Sequence, residues 1–365
     1  MRPCTFDTVD LPTFIGEVEG VDAVQLPPHL ARFDCRNNRL ALLGLQQDGF
    51  SEAVAGAIRK YGAQRIGVFI GTSTSGILQT ELAYRRLDPA SGAFPADFIY
   101  TSTHNTFSVA DFTRHYFGLT GPAAVVSSAC SSSAKVFASA RRMLAAGLID
   151  AAVVGGVDSL CLTTLYGFNS LGLISTRPCR PFDLSRDGIS IGEAAAFALL
   201  ERMPGQLDQD AVLLLGVGES SDAHHMSSPH PDGLGARIAM QDALKMAHIG
   251  PADIDYINLH GTATPSNDAA EAKAVTGLFG SNTPCSSTKG ATGHTLGAAG
   301  GLEAVICALA LQNGLLPGGV NTQQPDPALP LDYLLENRDQ SVKRVLSNSF
   351  GFGGTNCSLV FGRAG

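Results

Sequence analysis

One cysteine in this chain occupies a position where a thiol can act as a nucleophile. Cys130 lies in "VVSSACSSSAKVF" (residues 125–137), where an apolar run ends and residues of helical spacing begin. A thiol at a helix N-terminus faces unpaired N–H groups and the positive end of the helix dipole, which lower its pKa. The small polar neighbours leave room for a substrate carbonyl, and the Cys130 N–H can donate to an oxyanion. Although most free cysteines are simply buried apolar residues, the sequence predicts that Cys130 is a thiolate nucleophile.

Two histidines and a lysine accompany it elsewhere in the chain. His260 ends an apolar strand in "YINLHGTATPSND", and Lys289 and His294 lie five residues apart in "SSTKGATGHTLGAAGG". Taken alone, a histidine at a strand end is more often structural than catalytic. Because α/β sheets collect functional groups at the carboxyl ends of their strands, we expect these side chains to share one pocket with Cys130.

The last part of the chain predicts a further feature that faces a ligand. The stretch "RVLSNSFGFGGTNCSLVF" (344–361) predicts two strands around a glycine-rich reversal that carries Phe350 and Phe352. A two-residue turn needs only one or two positive φ angles, so the glycines exceed what a simple hairpin requires. We therefore expect the backbone to approach a ligand closely at this reversal.

Other common sites are not indicated. Three histidines lie in "DAHHMSSPHPDG" (222–233), but adjacent histidines point apart and no cysteine or carboxylate recurs at ligand spacing, so we predict no metal. The sequence also lacks a P-loop and a dinucleotide-binding glycine motif.

The composition limits the classes of protein to which the chain can belong. The 365 residues are 44% hydrophobic, enough for a large core in one big domain or two fused halves. Eight cysteines without CxxC pairs fit reduced thiols in a cytoplasmic protein. The start of the sequence does not resemble a signal peptide, and no run reaches the roughly 18 uninterrupted apolar residues of a membrane span. A net charge of -8 argues against nucleic acid as a partner.

Short β-branched runs alternate with alanine-rich stretches of helical period, which predicts an α/β fold with sheets covered on both faces. Segments 123–147 and 283–314 share a layout, from a short strand through a turn of small residues into an apolar helix, which indicates a duplicated half. The clearest strand candidates are residues 65–73, 151–157, 211–219 and 255–261.

Four motifs, in the right order, resemble the signatures of the elongating β-ketoacyl-acyl-carrier-protein synthases of the thiolase superfamily. They are "SSACSSS", "NLHGTATPSNDAAEAKAV", "SSTKGATGHTLGAAGGLEA" and "NSFGFGGTN". The resemblance implies the five-layered αβαβα thiolase-like fold with two pseudo-symmetric halves. We expect residues 1–210 to form the half with the nucleophilic cysteine and residues 211–365 the half with both histidines. It also implies a homodimer, or a heterodimer with a related ketosynthase-like subunit.

The same resemblance implies roles for the central residues. Cys130 would accept an acyl chain from the phosphopantetheine of an acyl carrier protein. His260 and His294, as neutral imidazoles, would donate Nε2–H to the thioester oxygen of malonyl carrier protein while CO₂ is lost. Lys289, paired with Glu303, would organise the electrostatics of the site.

It also implies roles for the surrounding residues. The N–H groups of Cys130 and Phe352 would form the oxyanion hole. Phe352, together with Phe350, would gate the site. The remaining assignments are the pantetheine and substrate contacts Thr262, Thr264 and Ser227, the acyl-pocket residues Phe168 and His104, and the structural carboxylate Asp268.

The sequence departs from the family pattern in two places. The family usually opens with a strand of the type "VVVTGxG", so here either the sheet has lost an edge strand or residues 5–20 replace it in another form. The second departure is His104, which falls near Phe168 at the expected floor of the acyl pocket. A polar floor would suit a short, polar, aromatic or polyunsaturated chain.

The predicted function is therefore decarboxylative Claisen condensation between an acyl-Cys130 thioester and malonyl carrier protein, in fatty acid, polyketide or polyene biosynthesis. No cofactor or metal is expected, because phosphopantetheine arrives on the carrier protein. Because carrier proteins are acidic, we expect a basic entrance; the candidates are Arg32, Arg36, Arg39 and Arg177. One alternative is a non-catalytic partner subunit that sets chain length. Another is acyl transfer or hydrolysis by a Cys/His pair without condensation.

Overall fold

A computed structural model of the chain describes residues 1–208 and 210–364. Its strands are β1 (Arg2–Pro3), β2 (Phe14–Gly16), β3 (Ile66–Gly71), β4 (Ala123–Val126), β5 (Ala151–Asp158), β6 (Ile191–Gly192), β7 (Ala194–Glu201), β8 (Val212–Ser221), β9 (Tyr256–Asn258), β10 (Pro284–Ser286), β11 (Leu315–Leu316), β12 (Asp332–Tyr333), β13 (Arg338–Asp339), β14 (Arg344–Gly351) and β15 (Thr355–Arg363). Its α-helices are α1 (Arg36–Leu45), α2 (Phe50–Tyr61), α3 (Ile77–Tyr84), α4 (Ser108–Phe117), α5 (Ser132–Ala145), α6 (Leu162–Ser170), α7 (Leu234–Ala247), α8 (Pro265–Phe279), α9 (Lys289–Thr292) and α10 (Ala299–Asn313).

Two mixed sheets repeat the same arrangement. The first has the strand order β4-β3-β5-β7 and the second has the order β12-β10-β9-β14-β15-β8. In the first sheet β4, β3 and β5 are parallel and β7 is antiparallel. In the second, β10, β9 and β14 are parallel and β15 is antiparallel. The duplicated layout expected from the sequence is therefore confirmed.

Helices form three layers around these sheets. Helices α5 and α10 lie in the middle, since α5 contacts β3 and β5 on one side and β8 and β15 on the other, and α10 contacts β5, β7, β14 and β15. Helices α1, α2 and α4 cover the outer face of the first sheet, and α7, with α8 packed against it, covers the second. The layers therefore follow the order αβαβα.

The middle position explains the composition of α10. Leu296–Asn313 is long and apolar enough to cross a membrane by length and composition alone, yet 61% of it is buried inside the fold. A helix that is apolar all round belongs in a core when both of its sides face sheets. This segment is the core helix of the second half.

The glycine-rich reversal near the end of the chain forms as expected. β14 and β15 pair from Arg344 opposite Gly362 to Gly351 opposite Thr355. Between them, Gly353 and Gly354 have φ angles of 80° and 74°, a region that side chains other than glycine rarely occupy. The predicted boundary after residue 210 falls in the connection between β7 and β8, of which residue 209 lies outside the described residues.

The N-terminal residues do not supply the strand that the resemblance led us to expect. β2 pairs in parallel with β6 in a small separate sheet that also contains β1. The second sheet extends beyond β15 through β8. The strand of the first sheet that corresponds to β15 is β7, and within residues 1–208 and 210–364 no strand pairs with the outer side of β7. The expectation that residues 5–20 replace the missing edge strand is therefore wrong.

Candidate active site

Cys130 lies on the tight turn that joins β4 to α5. Ala129 has a φ angle of 51°, a left-handed conformation that is uncommon for a residue with a side chain. Ser132 Oγ holds the turn: it accepts from Ser128 N at 2.9 Å and donates to Ala129 O at 2.6 Å. The turn leaves Cys130 5% exposed at the N-terminal end of α5.

His294 is fixed through its backbone. Its N–H donates to Ser190 O at 2.7 Å, and its carbonyl accepts from Gly192 N at 2.9 Å. The preceding Gly293 has a φ angle of 71°, which lets the chain leave α9 and turn toward β6. This arrangement places His294 Nε2 3.0 Å from Cys130 Sγ.

His260 is fixed from two sides. The backbone N–H groups of His260 and Gly261 donate to the two carboxylate oxygens of Glu271, each at 2.8 Å. Lys289 Nζ lies 3.4 Å from His260 Nδ1 and is paired with Glu303. An ammonium group can only donate, so Nδ1 accepts and the His260 proton resides on Nε2.

The charge state of the sulfur differs from the prediction. Burial raises the pKa of the Cys130 thiol to about 11, and the Asp158 carboxylate acts in the same direction. The Lys289 ammonium and the backbone N–H groups of Phe352 and Cys130 lower the pKa, but by less. Desolvation therefore outweighs the effect of the helix N-terminus, and the expectation of a resting thiolate is wrong.

The imidazoles are neutral, as the resemblance implies. Burial lowers the pKa of His260 and of His294 well below the usual range, and the positive charge of Lys289 lowers both further. A neutral imidazole has one N–H donor and one acceptor nitrogen. Both rings can therefore donate a hydrogen bond without carrying a charge.

The raised thiol pKa gives a testable pH profile. We expect alkylation of Cys130 by iodoacetamide in the free protein to rise about tenfold for each pH unit, because only the thiolate reacts and its fraction grows until the pH reaches the pKa. Mass spectrometry of the peptide that carries Cys130 measures the rate. A rate that is already level at neutral pH would contradict the neutral thiol.

A cavity opens over these three side chains. Phe168, Phe350 and Phe352 form part of its wall. The Phe168 and Phe352 rings are 5.5 Å apart, and the Phe350 ring is 5.7 Å from the His260 ring. At 5% exposure, Cys130 has little contact with solvent beside this apolar wall.

The polar part of the cavity contains the predicted pantetheine residues. Thr262 and Thr264 are buried and their Oγ1 atoms are 2.9 Å apart. Ser227 also lines the cavity, as part of a wall that it forms with Asp222, Ser228 and Pro229. Sequence reasoning named Ser227 but missed this wall, because the histidine-rich motif had been considered only as a metal site.

Two buried carboxylates support the site from behind. Asp268 accepts from the backbone N–H groups of Phe182 at 2.8 Å and Ala263 at 3.2 Å, so it holds the loop that follows His260. Burial raises its pKa to about 6. Burial likewise raises the pKa of Glu303 to about 7, although Lys289 opposes the shift.

Of the two predicted acyl-pocket residues, the structure brings only Phe168 to the cavity. His104 is not among the residues that line it. Instead, His104 Nδ1 lies 2.6 Å from Thr80 Oγ1, and its ring lies 5.2 Å from that of Tyr100. The side chain is engaged by the neighbouring helix α3, so within this single chain it does not form a floor with Phe168.

One candidate for the basic entrance is wrong. Arg36 is buried and donates to both carboxylate oxygens of Glu193, at 2.6 and 3.0 Å, and to Asp22 at 2.6 Å. The Arg36 guanidinium already donates to carboxylates of the first half and links elements within it. It therefore cannot bind a carrier protein. The other three candidates, Arg32, Arg39 and Arg177, are partly or fully exposed.

The same three side chains could be considered as metal ligands. Cys130, His260 and His294 each offer a ligand atom, and these atoms lie within 4.8 Å of one another. Zinc is bound by such groups. However, the Lys289 ammonium lies beside this cluster, where it would repel a cation, and it keeps the His260 proton on Nε2. The arrangement therefore suits proton donation better than metal binding.

Comparisons with known proteins agree on one family. Residues 33–205 match the family model described as "Beta-ketoacyl synthase, N-terminal domain", and residues 211–323 match the corresponding C-terminal domain. A protein named 3-oxoacyl-[acyl-carrier-protein] synthase 2 from Vibrio cholerae is 33% identical. The alignment covers 98% of this chain and 90% of that protein.

Solved structures of ketosynthases are similar to this chain over nearly its whole length. The structure of ketosynthase ApeO in complex with its chain length factor ApeC, from Xenorhabdus doucetiae, matches with 42% identity and a TM-score of 0.88, over 96% of this chain and 87% of that one. The ishigamide ketosynthase/chain length factor matches with 25% identity and a TM-score of 0.89, over 100% and 92%. The expected thiolase-like fold is thereby confirmed.

Proposed function

This chain belongs to the β-ketoacyl synthase family, and we propose that it is a catalytic subunit that joins an acyl group held on Cys130 to malonyl carrier protein with loss of CO₂. One observation carries the proposal. Cys130 from the first half and His260 and His294 from the second converge within 4.8 Å at the wall of one cavity. A subunit that only shaped the pocket of a partner would have no need of this convergence.

The first step transfers the acyl group. Cys130 Sγ bonds to the thioester carbonyl carbon of the acyl carrier protein, and the bond from that carbon to the pantetheine sulfur breaks. The thiol proton ends on the departing pantetheine sulfur, so no proton is released overall. The negative oxygen of the tetrahedral intermediate accepts hydrogen bonds from the backbone N–H groups of Cys130 and Phe352. In the free protein the same two N–H groups lower the pKa of the Cys130 thiol.

The second step forms the new carbon–carbon bond. His260 and His294 donate hydrogen bonds to the thioester oxygen of malonyl carrier protein, CO₂ leaves, and the electron pair of the broken bond becomes an enolate. The enolate carbon attacks the acyl-Cys130 carbonyl, the Cys130 sulfur departs as a thiolate, and one proton from solvent restores the thiol. The two neutral donors in a dry pocket stabilise the enolate without a metal or organic cofactor.

The pantetheine arm would enter beside Thr262, Thr264 and Ser227, which provide hydroxyl groups along one side of the cavity. Phe352 would separate the acyl side from the malonyl side, since its ring contacts Phe168 across the cavity. Both steps use a substrate carried on an acyl carrier protein, so we propose such a protein as a partner and the cytoplasm as the location.

We also propose a second, related ketosynthase-like subunit as a partner, either another copy or a sister chain. Both similar solved structures pair a ketosynthase with a chain length factor. In this chain β4 lies at the end of the first sheet. Tyr84, Phe94 and Tyr100 are 61%, 42% and 52% exposed on the segment before α4, and exposed apolar surface of this kind is typical of protein interfaces.

The test uses the protein with an acyl carrier protein loaded with an acyl group and another loaded with malonate. We expect the mass of the product on the carrier to show the acyl chain extended by a ketide unit, with release of CO₂. The free acid as the only product would indicate a hydrolase. No extension, even with a related subunit added, would contradict the catalytic assignment and favour the chain-length role.

A further inference from the structure

One buried carboxylate beside the site has no role in the reaction as described so far. Asp158 lies at the end of β5 and is 0% exposed. It accepts hydrogen bonds of 2.5 to 3.0 Å from backbone and hydroxyl groups of Thr72, Ser73 and Thr74, which follow β3. It also accepts from Gly297 N at 2.6 Å. The carboxylate therefore joins a loop of the first half to a turn of the second.

The turn that Asp158 holds is the one that carries His294. Its backbone is fixed at the histidine itself, by Ser190 and Gly192, and again three residues later, at Gly297. Between these anchors Leu296 has a φ angle of 53°, which is strained for a side chain of that size and persists only when the surroundings enforce it.

The contact at Gly297 is close. A Cβ atom on Gly297 would lie 2.6 Å from Ser73 N and 2.7 Å from Asp158 Oδ2, both far inside van der Waals contact. The turn thus sits directly on the carboxylate and the loop around it. A displacement at Gly297 has only two intervening residues, one of them strained, before it reaches His294.

We propose that Asp158 is a positioning residue of the condensation reaction: by anchoring Gly297, it keeps the His294 imidazole within hydrogen-bond range of the reacting centre. The inference rests on the proposed function, because it assigns His294 to the decarboxylation step. Asp158 does not touch the substrate. Its seven hydrogen bonds satisfy a charge that would otherwise be costly to bury, and one of them is directed at the catalytic turn.

Two variants test the assignment from different directions. Asp158→Asn keeps the shape of the side chain but replaces one acceptor oxygen with a donor that opposes the N–H and O–H groups around it. Gly297→Ala keeps the carboxylate but forces the turn and the surface beneath it apart, so it carries the test if Asp158→Asn fails to fold.

Each variant has a matched control. Asp183 is a buried carboxylate that likewise accepts from loop N–H groups, those of Ser185, Gln323 and Gln324, but it does not line the cavity. Gly277 lies in α8, where an added Cβ meets nothing within 4 Å. Asp183→Asn and Gly277→Ala should therefore decarboxylate malonyl carrier protein as the unmodified protein does.

The measured quantity is kcat for malonyl decarboxylation per folded molecule, with the folded fraction taken from the amplitude of the thermal unfolding transition, so that a misfolded fraction does not lower it. We expect about a 100-fold loss of kcat in both test variants, since misplacing a catalytic group by about 1 Å costs this much. KM should not change, because the hydroxyl groups of Thr262 and Thr264 are not attached to Asp158. A merely structural role would lower the folded fraction and leave kcat per folded molecule as before.

A crystal structure of Asp158→Asn or Gly297→Ala gives a readout that does not depend on the reaction. We expect His294 Nε2 to lie beyond hydrogen-bond range of Cys130 Sγ. An unmoved imidazole, or an unchanged kcat per folded molecule, overturns the inference. If the unmodified protein and both controls do not decarboxylate malonyl carrier protein, the proposed function fails instead, and the position of His294 still decides whether Asp158 anchors the turn.

Discussion

Replacing Cys130 with alanine is expected to abolish acyl transfer and condensation, with a loss of at least about 10⁴-fold, as when the nucleophile of a covalent mechanism is removed. No other thiol can replace it, because Cys130 is the cysteine that lines the cavity. The fold should survive, since the change removes one sulfur atom at the surface of a cavity. Mass spectrometry of the intact protein after incubation with an acyl carrier protein detects the acyl-enzyme directly.

The matched control is Cys161→Ser. Cys161 is buried at the start of α6, and its Sγ lies 3.3 Å from Thr164 Oγ1, so a hydroxyl can replace it. This variant should elongate acyl chains normally. If purified Cys130→Ala, with an unchanged thermal unfolding curve, still elongated an acyl chain, the nucleophile would be wrongly assigned.

Replacing His294 with alanine is expected to separate the two steps of the reaction. Acylation of Cys130 should persist, because the N–H groups of Cys130 and Phe352 that stabilise its intermediate are unchanged. Malonyl decarboxylation should fall by about 100- to 1,000-fold, the cost of removing one donor from a developing oxyanion. The acyl-enzyme mass and the release of labelled CO₂ measure the two steps independently.

His29→Ala is a suitable control, since His29 is exposed and distant in sequence from the site. It should retain both steps. Malonyl decarboxylation at the normal rate in His294→Ala would contradict an enolate site shared by the two imidazoles. Loss of acylation as well would show that His294 also has a function in the first step.

The elements that carry the site could be predicted because their signals are local. The turn at Cys130, the strand end at His260 and the reversal at Gly353 each follow from a few neighbouring residues with an unusual content of small side chains. The repeat of strand, turn and apolar helix at residues 123–147 and 283–314 indicated the duplicated fold, and the structure has the corresponding helices α5 and α10 in one layer.

Other features depend on contacts between residues far apart in the sequence. The helix N-terminus alone suggested a lowered thiol pKa, but burial raises it to about 11, and burial is a property of the whole fold. Arginine is usually a surface residue, yet Arg36 is buried because it pairs with Glu193, which lies 157 residues later in the sequence. Asp158 gave no signal, because its partners come from both halves of the chain.

The two sheets share their middle layer, and this has a consequence for the way the activity depends on folding. The sulfur belongs to one repeat of the duplicated fold, and the imidazoles and the ammonium belong to the other. Neither half alone carries both the nucleophile and the proton donors. Both halves must therefore fold and stay packed on the shared layer before the site can react.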